Sequence, residues 1–437
     1  MENYFIWLIT IVVILIIFIP YYRNFRRNLN KDRERRDEAV RLGADRPIAQ
    51  FPQIDKFACI GCGACVAACP EGDVLGIVAG KATVINGLKC VGHGRCAEAC
   101  PVEGITVGLG DISKRDDIPF MTEHQETNIP GVFIAGELGG LALIRNAIEQ
   151  GRRVVDYITA QKIKSSENGI PDILIIGAGP AGLSAALQAK SKGLYFKIID
   201  QEDAGGTILQ YPRKKLVMTK PVEIPLYGAL TKPEYTKEEL LEIWQDAIRK
   251  FELKLEKNEK VLDIKREDNR ITVITSKNRH QGQSVVLALG RRGSPRKLNI
   301  PGEHLPKVMY KLMDAESYQD DKILVVGGGD SAIEAAMGLA RQKLNEVTLS
   351  YRKDSFFRIK KRNEERINKM IADKKINVIF NSNILEIKEN SVRLSIEDHT
   401  EEIENGFVFI FAGGEPPFGL LKKIGIHFGL PEKANVA

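Results

Sequence analysis

Residues 172 to 182 read DILIIGAGPAG, an aliphatic run that ends abruptly in Gly177, Gly179 and Gly182. Four apolar residues in a row, without alternation, suit a strand covered on both faces, and the small residues from Pro180 onward suit a helix packed close to it. Each glycine has a separate task in such a turn. Gly177 makes the tight bend, Gly179 lets the backbone approach a pyrophosphate, and Gly182 lets helix pack on strand, while the helix N-terminus offers the positive end of its dipole. The next strand, FKIID, ends in Asp200, the interval at which a carboxylate accepts a ribose hydroxyl. A glycine-rich turn without nucleotide is the bland alternative, and Asp200 weighs against it.

Residues 322 to 332, KILVVGGGDSA, repeat the device, with Gly327, Gly329 and Ala332 opening a second helix. Two nucleotide folds imply two nucleotides. The following stretch, EVTLSYRKDSFFRIKKR, has no carboxylate at the strand tip but carries Arg352, Lys353 and Arg358. Cationic groups there pair with a 2′-phosphate, so the spacing favours NADPH over NADH; a solvated basic helix start is the bland reading. Strands alternate with helices from Ser113 onward, the pattern of a parallel sheet and α/β architecture.

Ahead of this lies a second chemistry. All seven cysteines fall between Cys59 and Cys100. Cys59, Cys62, Cys65 and Cys69, followed by Pro70, read C-x2-C-x2-C-x3-C-P, the bacterial iron-sulfur arrangement in which the fourth thiolate reaches across to a neighbouring cluster. Cys90, His93, Cys96 and Cys100, followed by Pro101, keep the same intervals with histidine in the second place. A zinc site or a dithiol redox pair explains single C-x-x-C pairs but not this spacing given twice. Crossed ligation assigns Cys59, Cys62, Cys65 and Cys100 to the first cluster and Cys69, Cys90 and Cys96 to the second, which therefore lacks a thiolate. His93 then has three readings: imidazole ligand, neighbour of a three-iron cluster, or loop residue beside a cluster completed by solvent. The expected cofactors here are a first 4Fe-4S cluster and a second that is 4Fe-4S with His93 or 3Fe-4S. This cysteine motif is the one internal repeat found by sequence.

The 437 residues carry a net charge of only +6, part of it in the run Arg23, Arg26, Arg27, Lys31, Arg33, Arg35, Arg36 and Arg41. Nothing points to nucleic acid. With every cysteine in a cluster motif none remains for disulfides, which fits a reducing compartment. Phe5 to Tyr22, FIWLITIVVILIIFIPYY, is long enough as a helix to cover about 27 Å, near the thickness of a bilayer core. A cleaved signal peptide wants a basic segment before the apolar run and small residues after it, and neither is there. Because the basic residues follow the run, a single-pass anchor in the cytoplasmic membrane is expected, N-terminus outside and the remainder in the cytoplasm. Arg23 to about Gln50 then reads as a helical, solvated stalk.

With two glycine motifs, VVLALGRRGSPRKLNIPGE (285 to 303) and FVFIFAGGEPP (407 to 417), the region after Pro171 resembles the flavoprotein reductases of the thioredoxin reductase type. That resemblance implies FAD on Gly177, Gly179, Gly182 and Asp200, NADPH on Gly327, Gly329, Ser331, Arg352 and Arg358, and hydride passing from nicotinamide to flavin. The family's closing segment would follow Pro417. Instead its pattern, ETNIPGVFIAGELGG (126 to 140) with a helix from Arg145 to Thr159, precedes the first glycine motif, implying a circular permutation in which Gly136 and Glu137 join the FAD site and Ala160 to Pro171 is the linker. Chain ends that lie close in space make such rewiring cheap. The stretch KVMYKLMDAESYQ lacks the C-x-x-C pair of thioredoxin reductase, and GGTILQYPRKKLVMTKPVEI is more similar to cysteine-free relatives, among them ferredoxin-NADP reductases and bacillithiol-disulfide-reductase-like proteins.

The expected organisation is an anchor at 4–22, a basic stalk at 23–50, a dicluster ferredoxin-like domain at 51–109, the permuted piece at 110–160, an FAD domain at 172–304, an NAD(P)H domain at 305–405 and a return to the FAD domain at 406–437. The expected fold class is α/β, two Rossmann-like domains with a small α+β module and one transmembrane helix. The expected function is electron transfer between NADPH, FAD, two clusters and a one-electron carrier, whether ferredoxin, cytochrome or quinone system. Flavin reduction of a small disulfide or other organic acceptor and a membrane-tethered redox sensor are the alternatives; a homodimer is compatible with all three. Hydride transfer requires no side chain as general base, so no catalytic residue is named.

Overall fold

The computed structural model describes residues 2–429, apart from 46, 48–49, 110–114, 116, 142, 162–168, 212–215, 219–220, 233, 268–269 and 292. The side chains of 2–6, 8, 9, 210, 216 and 218 also lie outside the described set, as does most of the expected linker. The chain divides into two units, residues 1–108 and 109–437.

The first unit opens with one helix of 40 residues, Glu2–Arg41, with Pro20 inside it. Its apolar side chains from Ile11 to Ile19 stand exposed, Ile16 at 65% and Ile17 at 67%. Among the described residues no helix is long and apolar enough to cross a membrane; Phe5, Ile6, Leu8 and Ile9 of the expected span fall outside the described side chains. The stalk expectation needs correcting in two ways. The helix ends at Arg41, well short of Gln50, because Gly43 takes a φ of +66° and the amides of Gly43 and Ala44 close onto the Val40 and Ala39 carbonyls. Nor is its second half merely solvated. Asp32 accepts the Ile77 amide at 2.9 Å, Arg35 pairs with Asp73 at 3.0 Å, and Ala39 and Ala44 are buried. Gly76 permits that approach, since a Cβ there would meet the Asp32 carboxylate at 2.7 Å.

The small domain beneath it has two antiparallel strand pairs, Phe51–Ile54 with Ile105–Gly108 and Leu75–Val78 with Lys81–Val84. Two one-turn helices, Ala64–Ala67 and Arg95–Glu98, each follow a left-handed glycine, Gly63 or Gly94. Val74, Leu75, Ala82 and Ile105 form a core so small that Cys59, Cys65 and Cys96 belong to it.

In the second unit the aliphatic run becomes the central strand Ile173–Ile176 of a five-stranded parallel sheet. Its order is Leu255–Glu256, Phe196–Ile199, Ile173–Ile176, Ser284–Leu287, Val132–Ile134. The last strand comes from ahead of the glycine motif, so the segment expected to be permuted does complete this sheet. Helix Ile144–Ala160 packs beside helix Pro180–Ser191, and Gly151 is obligatory there because a Cβ would strike the Ala181 carbonyl. A second parallel sheet runs Val308–Met309, Phe407–Ile410, Lys322–Val326, Glu346–Ser350, Asn377–Ile379. Each parallel sheet is accompanied by a three-stranded antiparallel one, Val261–Glu267 to Gly282 in the first case and Ser382–Ile387 to Glu404 in the second. The fold therefore extends the repeat of the two glycine motifs to a whole architecture, because pattern and register, rather than identity, define each copy.

Candidate functional site

The first glycine turn borders a cavity of about 370 Å³. Gly177 has a φ of +108°, and a Cβ on it would collide with the Ala288 carbonyl; a Cβ on Gly182 would collide with the Gly177 carbonyl. These two glycines hold the turn tight from inside. Gly179 does something different: it caps the helix Pro180–Ser191 and faces the cavity, its nearest neighbour to a Cβ being Gly206 Cα at 3.7 Å. Unpaired first-turn amides at that end present positive potential to whatever fills the space.

Asp200 lies at the end of strand Phe196–Ile199 and lines the same cavity. Its carboxylate accepts the Ala178 amide at 2.5 Å and the Glu202 amide at 2.7 Å, so it ties the glycine turn to its own strand. Burial pushes the Asp200 carboxyl up, and those two amides act against the rise. Gly136 and Glu137 reach the cavity from the preceding segment. Gly136 takes a φ of +89° and donates its amide to Gln150 Oε1 at 2.7 Å, and Glu137 begins the short turn Glu137–Gly139. A backbone cradle that a single Cβ would fill, with a helix N-terminus and a half-buried carboxylate at the ribose interval, fits FAD.

Sequence reasoning missed one group here. Glu259, also lining the cavity, donates its own amide to the Asp200 carbonyl at 2.9 Å, and its carboxylate is buried. Thr275 and His280 hold that carboxylate at 2.5 and 2.7 Å. Burial alone would raise the Glu259 pKa, but these two partners keep it below the usual carboxylate value. No local motif announces the trio, because strand pairing in the antiparallel sheet brings it together.

The second turn has the same plan. A Cβ on Gly327 would meet the Phe411 carbonyl at 2.5 Å, one on Gly328 would strike the Tyr351 ring, and Gly329 faces open space as the cap of helix Asp330–Leu339. Ser331 lies in its first turn, half exposed. Arg352 and Arg358 are exposed, and the positive charge of both lowers the Tyr351 hydroxyl pKa against the rise that burial causes. Asp330 fastens this basic loop, accepting from the Lys360 amide at 3.0 Å and Asn363 Nδ2 at 2.7 Å. These residues fit a nucleotide with an extra phosphate.

The thiols of the small domain form two groups. Cys59, Cys62, Cys65 and Cys100 line one cavity, and Cys69, Cys90, Cys96 and His93 line another. These are the two crossed sets. The Ala82 amide points at the Cys59 sulfur at 3.3 Å, and Lys81 Nζ donates to the Cys59 carbonyl at 2.6 Å. Burial raises the thiols of Cys65, Cys69 and Cys96, and that of Cys90 to about 11. Among the described residues no three of His, Cys, Asp or Glu converge on a single-ion position; the thiols surround spaces, and a donor set of thiolates so arranged fits an iron-sulfur cube.

The sequence pattern of the pyridine nucleotide-disulphide oxidoreductase family matches residues 174–435, and that of a 4Fe-4S dicluster domain matches residues 51–101. The ferredoxin-NADP reductase of Ignicoccus hospitalis is 30% identical over 267 residues, which is 59% of this chain and 81% of that protein. That of Streptococcus gordonii is 34% identical over 42% of this chain, but the match spans only 55% of its length. The solved structure of the bacillithiol disulfide reductase Bdr from Staphylococcus aureus superposes with a TM-score of 0.52 at 28% identity, covering 60% of this chain and 82% of that one. The strand Val132–Ile134 that completes the first sheet lies outside the matched 174–435.

Proposed function

The chain belongs to the pyridine nucleotide-disulphide oxidoreductase family and is an NAD(P)H-dependent flavin oxidoreductase with a 4Fe-4S domain, and from that premise we propose that it exchanges electrons between NADPH and an external one-electron carrier. When bound, FAD supplies two-electron hydride chemistry and can part with electrons singly, and the clusters carry them one at a time. The residues of this chain supply the rest. Gly177, Gly179 and Asp200 would hold FAD with Gly136 and Glu137 closing its far side; Gly329 and Ser331 would face the NADPH pyrophosphate, with Arg352 and Arg358 on its 2′-phosphate. The observation that carries the reading is that a flavin cradle and two thiol-lined cavities, one with four cysteines and one with three beside His93, occur on one chain with no cysteine left over. On this reading no cysteine pair remains for reduction through an internal dithiol.

A ferredoxin-type carrier is the favoured partner, since several relatives bear the name ferredoxin-NADP reductase. Cys62 is exposed, and Phe57 and Ile60 beside it stand at 100% and 63% exposure, which leaves the first cluster an edge toward solvent. The second reading, reduction of a small disulfide at the flavin, rests on the likeness to bacillithiol disulfide reductase. Anaerobic turnover with NADPH separates them: rapid reduction of a ferredoxin with no consumption of a low-molecular-weight disulfide supports the first, and the reverse supports the second. We further propose that the exposed apolar helix, with Arg23, Arg26 and Arg27 after it, holds the protein at the cytoplasmic membrane with its cofactor domains on the cytoplasmic side. Release of the protein from membranes by alkaline carbonate would count against that.

A further inference from the structure

The first cluster cavity offers four thiols and the second only three, so one corner of the second cube needs another donor. Besides Cys69, Cys90 and Cys96, the side chains lining that cavity that can donate an electron pair to iron are His93, at the x2 position, and Glu71, two residues after Cys69. Their side chains are largely withdrawn from solvent, 17% and 9% exposed, and His93 Nε2 lies 3.5 Å from Glu71 Oε1. The loop that carries the imidazole is fixed. Gly92 and Gly94 on either side of it take φ values of +75° and +84°, and buried Gln50 donates to the Gly92 carbonyl at 3.0 Å.

We propose that Glu71 is a positioning residue that engages His93 through Nε2 and so assigns Nδ1 to the fourth iron of the second cluster. The inference rests on the dicluster reading. A metal-bound imidazole whose second nitrogen donates to a carboxylate has its tautomer and ring angle fixed. Nδ1 gives its lone pair to iron while the proton stays on Nε2 and is donated to Glu71, so ligation neither adds nor removes charge. The opposite assignment, with Glu71 on iron, places a fourth anion beside three thiolates and gives up the charge-assisted contact between Glu71 and His93. Imidazole in that corner also removes one negative charge relative to thiolate, which makes the second cluster the easier of the two to reduce.

The test uses the full chain purified without oxygen, as wild type, His93→Ala, His93→Cys, Glu71→Ala and Glu71→Gln, with iron content, pulsed EPR of the reduced clusters and redox titration as readouts. The wild type is expected to show imidazole nitrogen coupling on one cluster. His93→Ala loses that coupling together with one iron per chain, and His93→Cys recovers the iron without the coupling and lowers that cluster's potential. Glu71→Ala keeps the thiol ligands but alters the nitrogen coupling and the potential, and Glu71→Gln, which retains an acceptor, restores both toward wild type. Absence of nitrogen coupling in a wild type with full iron overturns the ligand assignment; unchanged coupling and potential in Glu71→Ala overturns the positioning role. A wild type without iron would instead strike at the dicluster reading itself.

Discussion

Gly177 sits at φ +108° with the Ala288 carbonyl where a side chain would begin. Replacing it with valine adds backbone strain to a collision, of order 1–3 kcal/mol at least, so retained FAD should fall roughly tenfold or more while cluster iron stays in place. Flavin-to-iron ratio in the purified variant measures this, and a fully yellow Gly177→Val protein would contradict it. Glu259 gives a pH prediction. Its folded pKa lies below the usual value of 4.5, so its stabilising contribution is present above that pH and is lost as pH falls through the folded pKa. Thermal unfolding measured at descending pH should therefore show a steeper acid decline for wild type than for Glu259→Gln. The glycines, Asp200 and the thiol sets were legible because each is a spacing problem solved within a few residues. Glu259 was not, for its partners Thr275 and His280 reach it only through the register of strands that the sequence leaves unspecified.

On the proposed reading, the basic loop between strand Glu346–Ser350 and helix Lys361–Ala372 is the element that decides between the two nicotinamide nucleotides. Arg352→Ala and Arg358→Ala should each raise KM for NADPH roughly 10- to 100-fold, the value of one charge-assisted hydrogen bond, and leave KM for NADH nearly unchanged. Equal losses for both nucleotides would assign these arginines a structural part only. Helix Lys237–Lys250 provides a control far from any charge-reading role. Thr236 Oγ1 accepts the Glu239 amide at 3.2 Å while Glu239 accepts the Thr236 amide at 2.7 Å, a reciprocal cap. Thr236→Ala should cost about 1 kcal/mol in chemical denaturation with the nucleotide preference intact. The N-terminal helix was the element least well read. Its alternating charges look like a solvated stalk, yet Asp32 and Arg35 are used to dock it on the small domain, and charge pattern alone does not distinguish a solvated face from one that caps amides of a neighbouring strand.

For the whole molecule, the order of pieces matters less than where each strand is inserted. Val132–Ile134 pairs with Ser284–Leu287 from a position ahead of the first glycine motif, so a strand from outside the matched region 174–435 completes the first parallel sheet. The place of that strand was legible because PGVF and the glycines after it form a compact local signature, and the two parallel sheets were legible from their two glycine motifs; the three-stranded antiparallel sheet beside each was not, since it lives in topology. The central claim is that one chain carries electrons between a nicotinamide nucleotide and two iron-sulfur clusters. Its most direct test is a stepwise anaerobic titration of the full chain with NADPH, following flavin absorbance and low-temperature EPR in the same samples. The account predicts that flavin bleaching is accompanied by signals from reduced clusters, that of the second cluster appearing first. Complete bleaching with both clusters silent throughout would contradict it.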